Sequence, residues 1–140
     1  LAEIAEADLP GLLRELPPPW SLRLRHVVTE TARTRRAAAA LAERDLVAVG
    51  GYLAAGMASL QQDYQSSCPE ADFLAAALAS AGAYGARLTG AGWGGAVIAL
   101  LPPQEEGRIV DEVARKWRAS FDRPAVIWAT RAAAGVRSEK

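Results

Sequence analysis

The sequence predicts an α+β fold, with a helical first half packed against a small antiparallel sheet built by the second half. Three observations predict it. Residues 20–82 carry apolar side chains at steps of three and four, the period of helices with one buried face. Leu88-Thr89-Gly90-Ala91-Gly92-Trp93-Gly94-Gly95 sets a dense glycine cluster between two short apolar runs, which reads as strand, loop, strand. Pro102-Pro103 then stops the second run after a length that suits a strand and not a helix.

Composition sets the outer limits. A chain of 140 residues with 51% hydrophobic content is expected to form one domain with a real core. Sixteen basic residues balance sixteen acidic ones, which argues against nucleic acid or any polyanion as a partner. Cys68 is the lone cysteine and has no internal partner, so a reducing, cytoplasmic setting is expected. No apolar run approaches the roughly 18 residues needed to span a bilayer, and no membrane association is expected. The N-terminus is acidic and amphipathic, unlike a signal peptide. The chain starts at Leu1 and not Met, as a piece of a longer polypeptide would.

The elements follow in order. Residues 1–19 read as a short helical segment, interrupted at Pro10-Gly11 and closed by the stiff break Pro17-Pro18-Pro19. Residues 20–82 read as helices. In the first, Leu24, Val27, Val28, Thr31, Ala38 and Leu41 fall on one face. In the second, Asp45 caps a seam of Leu46, Val49, Leu53, Met57, Leu60 and Tyr64. Gly50, Gly51 and Gly56 weaken that helix by about 1 kcal/mol each unless close packing or a kink uses them. Ser67-Cys68-Pro69-Glu70 has the spacing of a capping box and starts a third helix, which buries Phe73, Leu74, Ala77 and Leu78 and ends near Gly82. Residues 83–140 hold the glycine-loop hairpin (Ala86 to Thr89 and Ala96 to Leu101), a helix from about Glu105 to Phe121, and a last strand at Ala125 to Thr130. The helix buries Ile109, Val110, Val113 and Trp117.

The glycine loop is where function is sought. Ordering glycine is costly, and a chain tolerates it where the backbone turns left-handed or where something approaches closely. Both a tight structural turn and a ligand loop satisfy that. The Gly90-x-Gly92-x-x-Gly95 spacing matches a dinucleotide fingerprint only formally, because that fingerprint opens a helix and this loop opens a strand. Trp93, a large side chain among minimal ones, is expected to anchor the loop on the core, or to cover a neighbouring domain or a nucleotide. If the glycines serve a ligand more than the fold, Gly92→Val costs activity and little stability.

Other candidates have plainer readings. The arginines 23, 25, 33, 35, 36 and 44 suit a solvated helix face better than a phosphate surface. His26, the single histidine, reads as a surface or hydrogen-bonded residue, and without a Cys or His cluster no metal site is expected. Cys68 reads as buried and inert. Asp63, Glu70 and Asp72 read as caps and solvated carboxylates.

Three segments resemble one family. Arg25-His26-Val27-Val28-Thr29-Glu30 with Arg33-Thr34 is similar to a galactokinase pattern, as is Ser59-Leu60-x-x-Asp63-Tyr64 leading into Ser67-Cys68-Pro69-Glu70-x-Asp72. Tyr84 through Gly95 resembles the third motif of the GHMP kinases (galactokinase, homoserine kinase, mevalonate kinase and phosphomevalonate kinase). The resemblance runs from about Leu1 to Ala134-Gly135-Val136. It implies a GHMP kinase C-terminal domain over residues 1–140, a ferredoxin-like split βαβ with an antiparallel sheet packed on helices. It also implies a role in ATP- and Mg²⁺-dependent phosphorylation of galactose at its C1 hydroxyl, with an N-terminal GHMP kinase domain as partner.

In that family the nucleotide loop and catalytic aspartate lie in the N-terminal half, and none of their motifs occurs here. The resemblance therefore implies no catalytic and no metal-ligating residue in this chain, and no tight binding of ATP to it alone. The implied role of Thr89, Gly90, Ala91, Gly92, Trp93, Gly94 and Gly95 is to support the phosphate-binding loop. Trp93 stands where the family usually has Phe, Ala96 where Cys is common, and Met57 where His is usual. A non-catalytic module that senses sugar or ATP, or another GHMP small-molecule kinase, is the alternative reading.

Overall fold

A computed structural model describes residues 1, 3–131 and 133–135. Five α-helices precede and follow one hairpin among these residues: α1 Leu9–Glu15, α2 Trp20–Ala42, α3 Leu46–Ser59, α4 Pro69–Ala81, β1 Gly85–Thr89, β2 Ala96–Leu100 and α5 Glu106–Phe121. The α+β class and the order of elements through α5 agree with the sequence reading.

Local chemistry explains most of the boundaries. Pro10 does not interrupt the first helix. It occupies the opening turn of α1, where a missing N–H costs nothing. Asp45 caps α3 by accepting the Ala48 N–H at 2.9 Å. The capping box expected at Ser67 does not form. Cys68 takes the N-cap position of α4, while the Ser67 hydroxyl is drawn to Asp72. Gly82 ends α4 at φ +105°, where a side chain would be strained.

The core has three parts. Ala86 and Leu88 of β1 share a face with Val97 and Ala99 of β2, and this face meets Met57, Ala71 and Ala75. Ala77 and Ala81 of α4 meet Ile109 and Val113 of α5. Leu9 meets Leu24 and Val28 where α1 folds onto α2. Sealing Ile109 and Leu88 contributes about 1.5–3 kcal/mol each.

Several sequence expectations give way here. Ala77 is buried as expected, but with it Ala71, Ala75 and Ala81 lie deepest in α4 while Phe73, Leu74 and Leu78 are half-buried, because small residues let the helix approach the hairpin. Ala38 and Leu41 are exposed and Ala40 is buried instead, since nothing covers the outer face near the end of α2.

The last strand expected at Ala125 to Thr130 is also absent. Residues 125–131 form no regular element and pair with neither β1 nor β2, and a strand exists only where a second one bonds to it. The sheet therefore has two strands among the described residues. Residues 136–140, included in the expected domain, lie outside the described residues.

Two glycines set the position of the hairpin. The backbone of Gly50 in α3 lies directly against Tyr84 and Gly85 at the start of β1, with no room for a Cβ on either glycine. Gly51, the next residue, faces open space. Gly85→Ala is expected to lower unfolding free energy by about 1–3 kcal/mol through overpacking against backbone. Gly51→Ala should leave stability unchanged or raise it by about 0.5–1 kcal/mol. Urea unfolding of both variants checks this pair, and equal effects would overturn the packing account.

Candidate functional site

Helix α2 carries His26, Glu30 and Arg33 at helical spacing, so all three lie along one stripe. That stripe faces β1. Arg87 sits between Ala86 and Leu88 and points to the opposite side of the strand from them. Its guanidinium pairs with Glu30, which also pairs with Arg33 through its other oxygen. Gly56 of α3 makes room for this contact, because a Cβ there would stand 2.7 Å from Arg87 Nη1. Burial pushes the Glu30 carboxyl upward, but the hydrogen bonds and charges of Arg87 and Arg33 outweigh it and hold the group below the usual carboxylate range.

A second network lies one turn away on α2. His26 Nδ1 is 2.9 Å from Ser59 Oγ, and the Ser59 hydroxyl donates to Asp63 at 3.1 Å. Arg25 pairs with the same carboxylate, and Arg23 donates to the Asp63 carbonyl oxygen. Desolvation lowers the His26 pKa from its ordinary value. With the Ser59 proton given to Asp63, neutral His26 donates from Nδ1 and keeps Nε2 bare. Asp63 is thus buried and saturated with partners, not the solvated carboxylate the sequence suggested.

Asp63 belongs to a wide π turn, Leu60–Tyr64, that ends with Gln65 at φ +58°. The turn delivers Ser66, which is 1% exposed. Its carbonyl oxygen accepts the Trp93 N–H, and Gly92 packs on it so closely that a Cβ would stand 2.6 Å away. The glycine loop is therefore hung from this turn by backbone alone.

Within the loop, Gly90, Gly92, Trp93, Gly94 and Gly95 all have positive φ, from 55° to 142°. That conformation explains the glycine density. The Trp93 side chain is 68% exposed and does not anchor the loop on this domain's core. It lies beside Trp20, Leu16, Tyr64 and Arg23 in an open apolar groove. Gly92 carries part of the fold as well, so a bulky residue there costs stability, contrary to the expectation from sequence.

Between α2 and the loop is a pocket of about 580 Å³. Glu30, Thr31 and Thr34 line one wall, and Arg87, Thr89 and Gly90 to Gly92 line the other. Thr89 and Ala91 are exposed at its edge. Met57 has a structural role: its sulfur accepts the Leu88 N–H at 3.3 Å inside the core. Ala96 is exposed at the start of β2, and Cys68 is half-buried at the start of α4. Among the described residues no group of three or more His, Cys, Asp or Glu could hold a metal ion, and no helix is long and apolar enough to cross a membrane.

Sequence reasoning assigned no site role to Glu30, Arg87 or Ser66. The first two lay within the segments that carry the family resemblance, but nothing in the sequence showed that they pair. Ser66 gave no signal, since it acts through its carbonyl oxygen.

Comparison with known proteins places this chain in a family. The family model for the C-terminal region of GHMP kinases matches residues 37–121, more than half of the chain, and the chain belongs to that family. It is 39% identical over 137 residues to the galactokinase of Roseiflexus sp. strain RS-1 and 44% identical over 127 residues to that of Mycobacterium tuberculosis. These alignments cover 97% and 90% of this chain but 35% of each relative, so the chain spans about a third of the curated relatives it matches. The crystal structure of Lactococcus lactis galactokinase complexed with galactose superposes with a TM-score of 0.81 at 32% identity, over 88% of this chain and 32% of that one. A mevalonate kinase from L. major, in complex with R-mevalonate, shares the fold with a TM-score of 0.64 at 24% identity, over 87% of this chain and 35% of that one.

The lowered pKa values of buried His26 and half-buried Glu30 contribute to the acid limb of stability. An unfolded histidine takes up a proton near 6.5 and folded His26 does so at lower pH, so its contribution is complete above that value and declines as pH falls below it. Glu30 adds a second decline below 4.5, toward its lower folded pKa. Urea midpoints are expected to fall between pH 8 and pH 5 in the wild type, and His26→Gln should flatten that segment. An unchanged slope in the variant would show that His26 is not the group responsible.

Proposed function

We propose that these residues are the C-terminal domain of a galactokinase that transfers the ATP γ-phosphoryl group to galactose with Mg²⁺, in the cytoplasm. The observation that carries this reading is the glycine loop. It is held by its own backbone at the end of a hairpin, it walls a polar pocket, and it occurs in a chain 44% identical to a galactokinase over most of its length. Galactose is the sugar bound in the Lactococcus lactis structure with the same fold.

Phosphoryl transfer needs positioning and charge stabilisation more than covalent help from the protein. A rigid loop suits that task. Glycines at positive φ keep the backbone bare of side chains where a phosphate-binding loop would approach, and Thr89 offers a hydroxyl at the strand end. ATP supplies the phosphoryl group when bound. Its Mg²⁺ ligands would come from an N-terminal GHMP kinase domain, on the same polypeptide or a separate chain, because no carboxylate cluster is built at this loop. The general base belongs on that domain too, since Glu30 and Asp63 are held by arginines.

Trp93 separates this reading from a purely structural loop. In the complete kinase Trp93→Ala should change stability by no more than about 0.5 kcal/mol, as for an exposed side chain. It should lower kcat/KM for galactose phosphorylation by about tenfold, or about 1.4 kcal/mol of transition-state stabilisation. Gly92→Ala should lower both activity and stability, the latter by about 1–3 kcal/mol from strain and crowding against Ser66. Wild-type kinetics in folded Trp93→Ala would remove the loop from the active cleft.

A further inference from the structure

The glycine loop does little to fix its own position. A Cβ added at Gly90, Gly94 or Gly95 would meet nothing within 4 Å, and the Trp93 side chain stands in solvent. Its close contact is with Ser66, through the Trp93 N–H and the bare face of Gly92. Where the Ser66 carbonyl stands, the loop stands. Ser66 has no side-chain tie of its own, since among the described residues its buried hydroxyl has no partner. Its place is therefore set by the turn that precedes it.

That turn is gripped at Asp63. The Ser66 N–H closes the π turn on the Leu60 carbonyl oxygen at 3.0 Å, so Ser66 follows wherever the turn goes. The Asp63 carboxylate accepts Arg25 Nε at 2.9 Å and the Ser59 hydroxyl at 3.1 Å. The Asp63 carbonyl oxygen accepts Arg23, whose other terminal nitrogen donates to Gln65 Oε1 at 2.8 Å. Helix α2 thus holds the turn through two arginines, and α3 holds it through Ser59.

Burial sets this grip apart from an ordinary ion pair. Asp63 is 9% exposed, so water does not readily replace a partner that is lost. Arg36 of the same helix pairs with Glu6 in solvent, and that pair does not reach the turn. The Asp63 carboxylate is also fully engaged by Arg25 and Ser59, which suits a tether and not a proton acceptor.

We infer that Asp63 is a positioning residue for phosphoryl transfer, acting through Ser66 on the glycine loop. The inference rests on the kinase reading above. Alignment dominates such chemistry, and a displacement of about 1 Å costs on the order of a hundredfold in rate. Without the carboxylate, Arg25 and Ser59 let go, and the turn, Ser66 and the loop drift together. The loop supports the transferring group and not the sugar, so the loss falls on kcat and spares KM for galactose.

The test uses the chain produced together with its native upstream coding region. Asp63→Asn should lower kcat for galactose phosphorylation by about tenfold and leave KM for galactose within about twofold. In the same protein the Trp93 amide should exchange about tenfold faster, over and above any change at Ile109 and Val113 in the core. Arg25→Met alters a side chain that is 44% exposed, so it keeps the fold, and it should show the same pattern at about threefold. Arg36→Met should leave kcat and Trp93 exchange unchanged. If Asp63→Asn does not fold, Arg25→Met decides alone. Wild-type kcat in the folded variants would overturn the inference. So would a Trp93 amide that quickens only in step with Ile109 and Val113, since the carboxylate would then serve global stability alone. A wild type without galactose phosphorylation removes the kinase reading and this role with it, whereas an active wild type with insensitive variants rejects only the tether.

Discussion

The rest of the molecule depends on one close approach, that of Gly50 in α3 to Gly85 in β1. Two residues without side chains let a helix and a strand touch backbone to backbone. At that distance the Leu88 amide reaches the Met57 sulfur and the Arg87 guanidinium reaches Glu30. Move the hairpin outward by a methyl group and each of these contacts lengthens together. The glycine loop at the far end of β1 would then miss Ser66, because its only ties there are a backbone amide and the bare face of Gly92.

Charge is organised around that contact. The arginines of α2 look like a solvated face when counted along the sequence, yet Arg25 and Arg33 are committed to carboxylates and Arg23 to a carbonyl oxygen. Half-buried pairs of this kind add specificity of arrangement more than net stability. They hold α2, the wide turn and β1 in one geometry, and they neutralise the acidic groups beside the pocket. What remains open to a ligand on the loop side is backbone and hydroxyl, with little fixed negative charge to repel a phosphate.

Much of this was legible in the sequence. The helices of the first half follow from apolar period, and the hairpin follows from glycine density between two short runs stopped by prolines. The family resemblance rested on the same residues that build the loop. Three things were not legible. The capping box at Ser67 lost to a competing hydrogen bond with Asp72, which depends on where the chain turns. For Trp93 the sequence left open an anchor on the core or a cover over a neighbouring domain or a nucleotide, and only its placement, exposed at φ +55°, removes the first. The strand at Ala125 to Thr130 has the right pattern, but pairing is a property of two segments, and periodicity reports only one.

The wide turn at Leu60–Tyr64 has a consequence for how such chains tolerate change. A π turn holds one residue more than an α turn. Deleting any one residue between Ser59 and Ser66 would let the helix rewind, swing Asp63 by about 100° off the Ser59–His26 line, and carry Ser66 away from the loop. Insertions do the same in the opposite sense. This stretch is thus constrained by its count as strictly as by its composition. Among variants of this domain, a gap of one residue here is more damaging than most single replacements in the core.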